Sequence, residues 1–256
     1  MLLATIAVLA TILPLPDEVA QPVFSADGRY VAFASDERLT DDSVGSVREV
    51  YLRDLVTGNT TLMSVNSAGG GAGASFSPAI TADGRLVAFV FLGHNLVGND
   101  TNERADVFVR DWAAHKTTLV SVSPISGQSA MGDSDQPAIS AGGRYVTFRS
   151  AATDLSNIDT NGSTTDVFVR DLQTNATELV SVNRAGSGSG NAASSHPRFD
   201  PAGRVIFESL ATDLTDDVLT PGVARLFARD LHTHHTVLLS ASVIPASAAR
   251  RRGVAP

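Results

Sequence analysis

The sequence predicts an all-β chain folded as a β-propeller of four four-stranded blades, and three observations carry that prediction. One unit recurs four times: Gln21-Pro22 opens QPVFSADGRYVAF, Ser77-Pro78 opens SPAITADGRLVAF, Gln136-Pro137 opens QPAISAGGRYVTF and His196-Pro197 opens HPRFDPAGRVIFE. The prolines lie 56, 59 and 60 residues apart. A second block follows each opening: EVYLRDLVTGNTTLMSV from Glu49, DVFVRDWAAHKTTLVSV from Asp106, DVFVRDLQTNATELVSV from Asp166 and RLFARDLHTHHTVLLSA from Arg225. Finally, nothing inside the repeats has helical periodicity, whereas β-branched and aromatic runs alternate with turn signals. A period near sixty exceeds a solenoid coil, and a sandwich would not explain a repeat at all. A closed ring of four is the expected form; an open arc, or part of a six-bladed propeller, is the alternative.

The elements follow in order. Residues 1–20 begin with an apolar stretch, Leu2 to Leu15, broken only by Thr5, Thr11 and Pro14. It is too short to span a ~30 Å hydrocarbon core comfortably and has the length of a secretory h-region, although no Lys or Arg precedes it. Export to the periplasm or beyond is therefore expected, with membrane contact only through residues 1–20 if they are not cleaved. The propeller is expected over 21–243, with repeats at about 21–76, 77–135, 136–195 and 196–243. In each, a glycine (Gly28, Gly84, Gly143, Gly203) supplies the positive φ that a tight hairpin demands. The second block reads as strand, turn and strand. Residues 244–256 have no strand or helix pattern and are expected to be a disordered tail.

The pattern Pro-x-Ile/Phe-Ser-x-Asp-Gly-Arg-x-Val-Ala-Phe, followed by Asp-Val-Phe-Val-Arg-Asp-Leu and a Thr-rich strand, resembles the TolB-like propeller repeat. The resemblance covers all four units. It implies the fold, in a repeat widespread in exported bacterial proteins and in the propellers that accompany prolyl oligopeptidases. The chain departs from those relatives: it shows neither the α/β domain that precedes the TolB propeller nor a peptidase domain.

Composition bounds the partners. The chain of 256 residues carries 27 acidic against 19 basic side chains, a net charge of −8, and no cysteine. An acidic surface without a basic stripe argues against nucleic acid. Disulfides and cysteine-ligated zinc are excluded outright.

Candidate chemistry lies in the long connections between the second and third strands. The third unit reads ATDLSNIDTNGSTT before Asp166 and the second GHNLVGNDTNERA before Asp106. Leu39, Leu96, Leu155 and Leu214 recur at one position and are expected to plug each loop into its blade. Asp159, Asn161, Ser163 and Asp166, and in the second unit Asp100, Asn102 and Asp106, alternate oxygen side chains ahead of a later carboxylate, which suits calcium. The same residues also suit Asx-turns, so both readings stay open. The first and fourth units keep only Asp41-Asp42 and Asp216-Asp217 in these loops.

Other residues read as structure. The pairs Arg53-Asp54, Arg110-Asp111, Arg170-Asp171 and Arg229-Asp230 occur in every unit, and a catalytic group is needed once. On a strand their side chains face opposite sides, so each Asp is expected to cap the following turn. His234-His235 fall at the tip of a hairpin, with His232 nearby; His94 and His196 stand in loops without a companion ligand. The Gly/Ser runs Gly69 to Gly73 and Gly186 to Gly190 read as flexible inter-blade connections. No catalytic elbow, P-loop, zinc-protease or dinucleotide motif is found, and no catalytic residue is assigned. The expectation is a noncatalytic exported propeller that binds a protein, peptide or envelope polymer through its loops or channel mouth. The alternatives are a propeller hydrolase or lyase with carboxylates at the mouth, and a fragment of a larger propeller protein.

Overall fold

The computed structural model describes residues 20–240; the apolar N-terminal segment and the expected tail at 244–256 lie outside them. Sixteen strands form four antiparallel sheets, each an uninterrupted meander of consecutive strands. Blade 1 is β1 (Ala20–Phe24), β2 (Tyr30–Ser35), β3 (Glu49–Asp54) and β4 (Thr60–Leu62). Blade 2 is β5 (Ser75–Ile80), β6 (Leu86–Phe91), β7 (Asp106–Asp111) and β8 (Lys116–Leu119). Blade 3 is β9 (Ser134–Ile139), β10 (Tyr145–Ser150), β11 (Asp166–Asp171) and β12 (Ala176–Leu179). Blade 4 is β13 (Ser194–Phe199), β14 (Val205–Ser209), β15 (Arg225–Arg229) and β16 (Thr236–Ser240).

The two-residue side-chain period gives every blade two apolar faces. In blade 1, Ala32, Ala34, Val50 and Leu52 form the face on which Val87, Phe89, Phe91 and Phe108 of blade 2 pack. Small residues on one blade receive aromatic ones from the next. The arrangement repeats where Ala88, Val90, Val107 and Val109 meet Phe148 and Phe168, and where Val167, Val169 and Val180 meet Phe207 and Phe227. Within each blade one aromatic pair stacks with centroids 5.8 to 6.1 Å apart. Each such fully buried ring contributes about 1.5–3 kcal/mol of transfer free energy.

Strand packing joins blade 1 to blade 2, blade 2 to blade 3 and blade 3 to blade 4, with no fourth junction of comparable extent among the described residues. The junctions thus form a series of three, the open-arc alternative, rather than the closed ring first expected. The outward face of blade 4 carries charge. Where blades 1 and 2 offer Ala34 and Val90, it has Glu208 across from Leu226, with an exposed Arg198 across from Ile206; blade 3 also has a charged residue at that register, Arg149, paired with Asp135.

Each inner hairpin carries a register shift, and in blades 2 to 4 the residue before the proline lies in it: Ser77, Gln136 and His196 have φ of 53, 52 and 53°. A bulge is where a strand tolerates proline. Gln136 Oε1 accepts the His196 amide at 2.7 Å, which ties one inner strand to the next.

Candidate functional site

The hairpins β1–β2 and β3–β4, with their counterparts, lie at one end of the blades. The long β2–β3 loops and the inter-blade connections share the other end, and the titratable loop residues gather there.

At the hairpin end the arginine–aspartate pairs are structural. Asp54 accepts the amides of Val56 and Thr57 and also Arg29 Nη2 at 2.8 Å. Arg85 reaches Asp111 and Arg144 reaches Asp171 in the same way, both at 2.7 Å. These guanidinium bonds hold Asp54 at about 2 and Asp171 lower still. The neighbouring Arg53, Arg110, Arg170 and Arg229 point to the other side and donate to Thr60, Thr117, Thr177 and Thr236. In blade 4 the turn arginine, Arg204, bonds Asp200 instead of Asp230.

At the loop end Leu96, Leu155 and Leu214 are buried plugs, and Leu39 is half-buried. In blades 1 to 3 the residue four positions after the plug turns inward, Asp100 being 4% exposed and Asp159 half-buried, whereas in blade 4 Val218 at that position is fully exposed. Asp106 and Asp166, at the heads of β7 and β11, are wholly buried. Ser121 Oγ donates to Asp106 Oδ1 and Ser181 Oγ to Asp166 Oδ1, each at 2.5 Å. The other oxygens, Asp106 Oδ2 and Asp166 Oδ2, have no partner, nor do both Asp100 oxygens, Asp159 Oδ2 and Asn161 Oδ1. Ser129 and the Asn102 backbone lie close to Asp100 but reach it without hydrogen-bond geometry. Burial, with a smaller push from the neighbouring carboxylate, raises Asp106 and Asp166 to about 7 against the opposing pull of Ser121 and Asn102 and of Ser181 and Asn161, the asparagine side chains lying close without hydrogen-bond geometry. Burial also raises Asp100 and Asp159.

The structure thus brings Asp100, Asn102 and Asp106 together, and likewise Asp159, Asn161 and Asp166. Ser163, the fourth residue of the expected set, is exposed and has no hydrogen bond to the group among the described residues. Its place is taken by Ser189, whose Oγ donates to Asp159 Oδ1 at 3.2 Å. Sequence reading missed the serines. The signal was there, since Ser64, Ser121 and Ser181 end the second block of their units. The glycine runs are also not slack linkers: Val65↔Gly71 and Val182↔Ser189 bridge across small hairpins there, as Val122↔Ser129 does in the second unit. Asn102 Nδ2 and Asn161 Nδ2 bond the carbonyls of Ala130 and Gly190 on these hairpins. A Cβ on Gly190 would strike Leu214 and Ala211, so close approach requires the glycine.

Among the described residues no three His, Cys, Asp or Glu side chains are grouped to hold a metal on their own. Any cation here would rest on two carboxylates and neutral oxygens. His232, His234 and His235 are exposed, as their hairpin-tip position implied. His196 is better accompanied than its sequence context suggested, with Ser195 Oγ at 3.0 Å and Glu208 at 3.4 Å from its Nδ1.

A second feature is a groove of about 880 Å³ between blades 3 and 4. Glu178 on β12, Arg184, Asp216, Arg229 on β15 and His234 give it charges of both signs, and Leu179 and Leu238 give it apolar floor.

Solved structures place the fold. TolB from Acinetobacter baumannii aligns over 91% of this chain and 46% of its own, with 14% identity and a TM-score of 0.53. A putative TolB from Agrobacterium tumefaciens aligns over 85% of this chain and 63% of its own, with 17% identity and a TM-score of 0.53. The β-propeller domain of the Trilobed protease from Pyrococcus furiosus, which has an open velcro topology, aligns over 88% and 58%, with 10% identity and a TM-score of 0.52. The chain spans about half to two thirds of the length of these structures. At such identities the likeness is one of fold: four blades of a TolB-like propeller. No protein-family model matches the sequence, and no curated protein matches it.

Proposed function

We propose that this propeller is a noncatalytic binding module, exported from a bacterial cell, that takes a peptide segment of a protein partner or an envelope polymer. The groove between blades 3 and 4 carries the reading. It is open, it has an apolar floor, and it places Glu178 and Asp216 near Arg184 and Arg229. The outer strands β12 and β16 leave backbone groups unpaired along their free edges, so an extended peptide could add to either by strand pairing. Export rests on the apolar stretch at Leu2 to Leu15, and among the described residues no helix is long and apolar enough to cross a membrane.

The test is selection of peptides from a displayed random library on the full chain, followed by affinity measurement on Arg184→Glu and Glu178→Arg. Selected peptides are expected to lose affinity tenfold or more on one reversal or the other. Unchanged affinity on both would remove the groove as the binding site.

A further inference from the structure

We propose that blades 2 and 3 each bind a calcium-class divalent cation at the loop end, held by Asp100, Asn102 and Asp106 in one blade and by Asp159, Asn161 and Asp166 in the other. The observation that points to a ligand is unpaired oxygen. Asp106 and Asp166 are wholly buried and Asp100 is 4% exposed, yet Asp106 Oδ2, Asp166 Oδ2 and both Asp100 oxygens meet no donor. Buried carboxylate oxygens without donors are rare because each forgoes the hydration it had in water. The two aspartate positions do this in both blades, whose heads, Asp106 and Asp166, lie sixty residues apart, whereas at the asparagine position only Asn161 Oδ1 is free and Asn102 Oδ1 accepts the Arg104 amide.

The other two blades show what the position needs when no cation is called for. Counting four residues on from the plug leucine, Ser43 stands where Asp100 and Asp159 stand, and Val218 does so in blade 4. In blade 1 Glu49 takes the place of Asp106; its Oε2 is bonded by Ser43 Oγ and by the Tyr51 hydroxyl at 3.2 Å, while its Oε1 has no partner. In blade 4 Arg225 takes it, and its Nη1 donates to the carbonyls of Val223 and Ala224. One blade answers a single carboxylate with hydroxyls, and the other dispenses with carboxylates and uses a guanidinium. Only blades 2 and 3 pair two carboxylates around an asparagine.

Two carboxylates and a divalent ion sum to zero charge, which removes the cost of burying either. Calcium accepts six to eight oxygens in irregular geometry, so a set of two carboxylates, an amide oxygen, nearby hydroxyls and water suits it. Asn161 Oδ1 is itself unpartnered, while its Nδ2 bonds Gly190 O at 2.9 Å and lies near enough to Asp166 to favour its charged form. The cation would tie the long loop to the head of the third strand, and Ser129 and Ser189 would bring the inter-blade hairpin to the same point.

The test is calorimetric titration of calcium chloride into the full chain after chelator treatment and buffer exchange. Two ions per chain are expected, with a melting temperature that rises roughly 5–10 °C per occupied site at a hundredfold excess over Kd. Asp106→Asn and Asp166→Asn should each remove one ion from the stoichiometry while raising the melting temperature of the chelator-treated protein, because each deletes an unanswered buried charge. Asp159→Asn, on the loop and away from the sheet, gives the same readout should a strand variant fail to fold. Absence of calcium-dependent heat and melting shift in the parent chain overturns the proposal, as does a stoichiometry that none of the three variants changes. The former result would mean that each carboxylate pair is answered by a shared proton.

Discussion

At the head of its third strand, blade 1 has a glutamate bonded to two hydroxyls and blade 4 has an arginine on backbone carbonyls; blades 2 and 3 have an aspartate facing a second aspartate. All four positions are buried. They occupy the same register, at the start of the strand that pairs along the whole of β2 or its counterpart. Each of the four keeps one buried polar atom without a partner, Glu49 Oε1 and Arg225 Nε included, so what separates blades 2 and 3 is the second carboxylate beside the first. The blade does not require two carboxylates, and their presence in two blades of four marks a property added to the fold.

The largest expected break falls on what all four blades share. Phe168→Ala removes a wholly buried ring that stacks on Phe148 and fills the junction with blade 2. A loss of about 3–5 kcal/mol is expected by denaturant unfolding. A loss below about 1 kcal/mol would mean that the blades do not depend on their aromatic faces.

The comparison itself is sharpened by Ser43→Asp, which gives blade 1 the second carboxylate it lacks. Glu49 would lose its Ser43 donor and gain a like charge, for a loss of roughly 3 kcal/mol or more in chelator. Added calcium should recover part of it. If the variant is as stable as the parent in chelator, the two pairs of blades do not differ in the way described.

Next in size is Gly190→Ala, where the new methyl meets Leu214 and Ala211. Overpacking of that kind costs about 1–3 kcal/mol, while Gly127→Ala, with open space around its Cβ, costs less by relief of packing alone and pays only for its positive φ. Gly190 itself has no positive φ, so a loss well below about 1 kcal/mol there would show that Leu214 and Ala211 give way and that the close approach does not require glycine.

The smallest effect concerns the hairpin end. Arg29 holds Asp54 at about 2, below its ordinary value of 3.8. A carboxylate lowered on folding stabilises the protein above its ordinary value, and that contribution fades as pH falls toward the folded value. Arg29→Ala should therefore flatten the acid side of a melting-temperature profile between about pH 4 and pH 2, with little change at pH 7, since exposed pairs are weak. Arg204→Ala in blade 4, where the arginine bonds Asp200, should leave Asp230 and its bonds to His232 and Thr233 intact.

Most of the fold could be read directly. A repeat marked by Asp-Gly turns, alternating β-branched residues and Arg-Asp corners contains its own strand order, because adjacent strands in a meander are also adjacent in sequence. The aspartate caps followed from side-chain alternation. Less could be read of the loop end. Asp100, Asn102 and Asp106 stand out by spacing, but nothing local says that Asp106 is buried without a second donor, or that Ser163 points away while Ser189, more than twenty residues on, reaches Asp159.

By itself, then, the sequence determined the strands, the turns and the number of blades, since these depend on residues a few positions apart. The tertiary structure alone decided that the blades follow one another as an arc and that each of two carboxylate pairs keeps buried oxygens without a partner. Those outcomes depend on which faces and loops meet across sixty residues of chain, and burial of a charge is a property of everything around it.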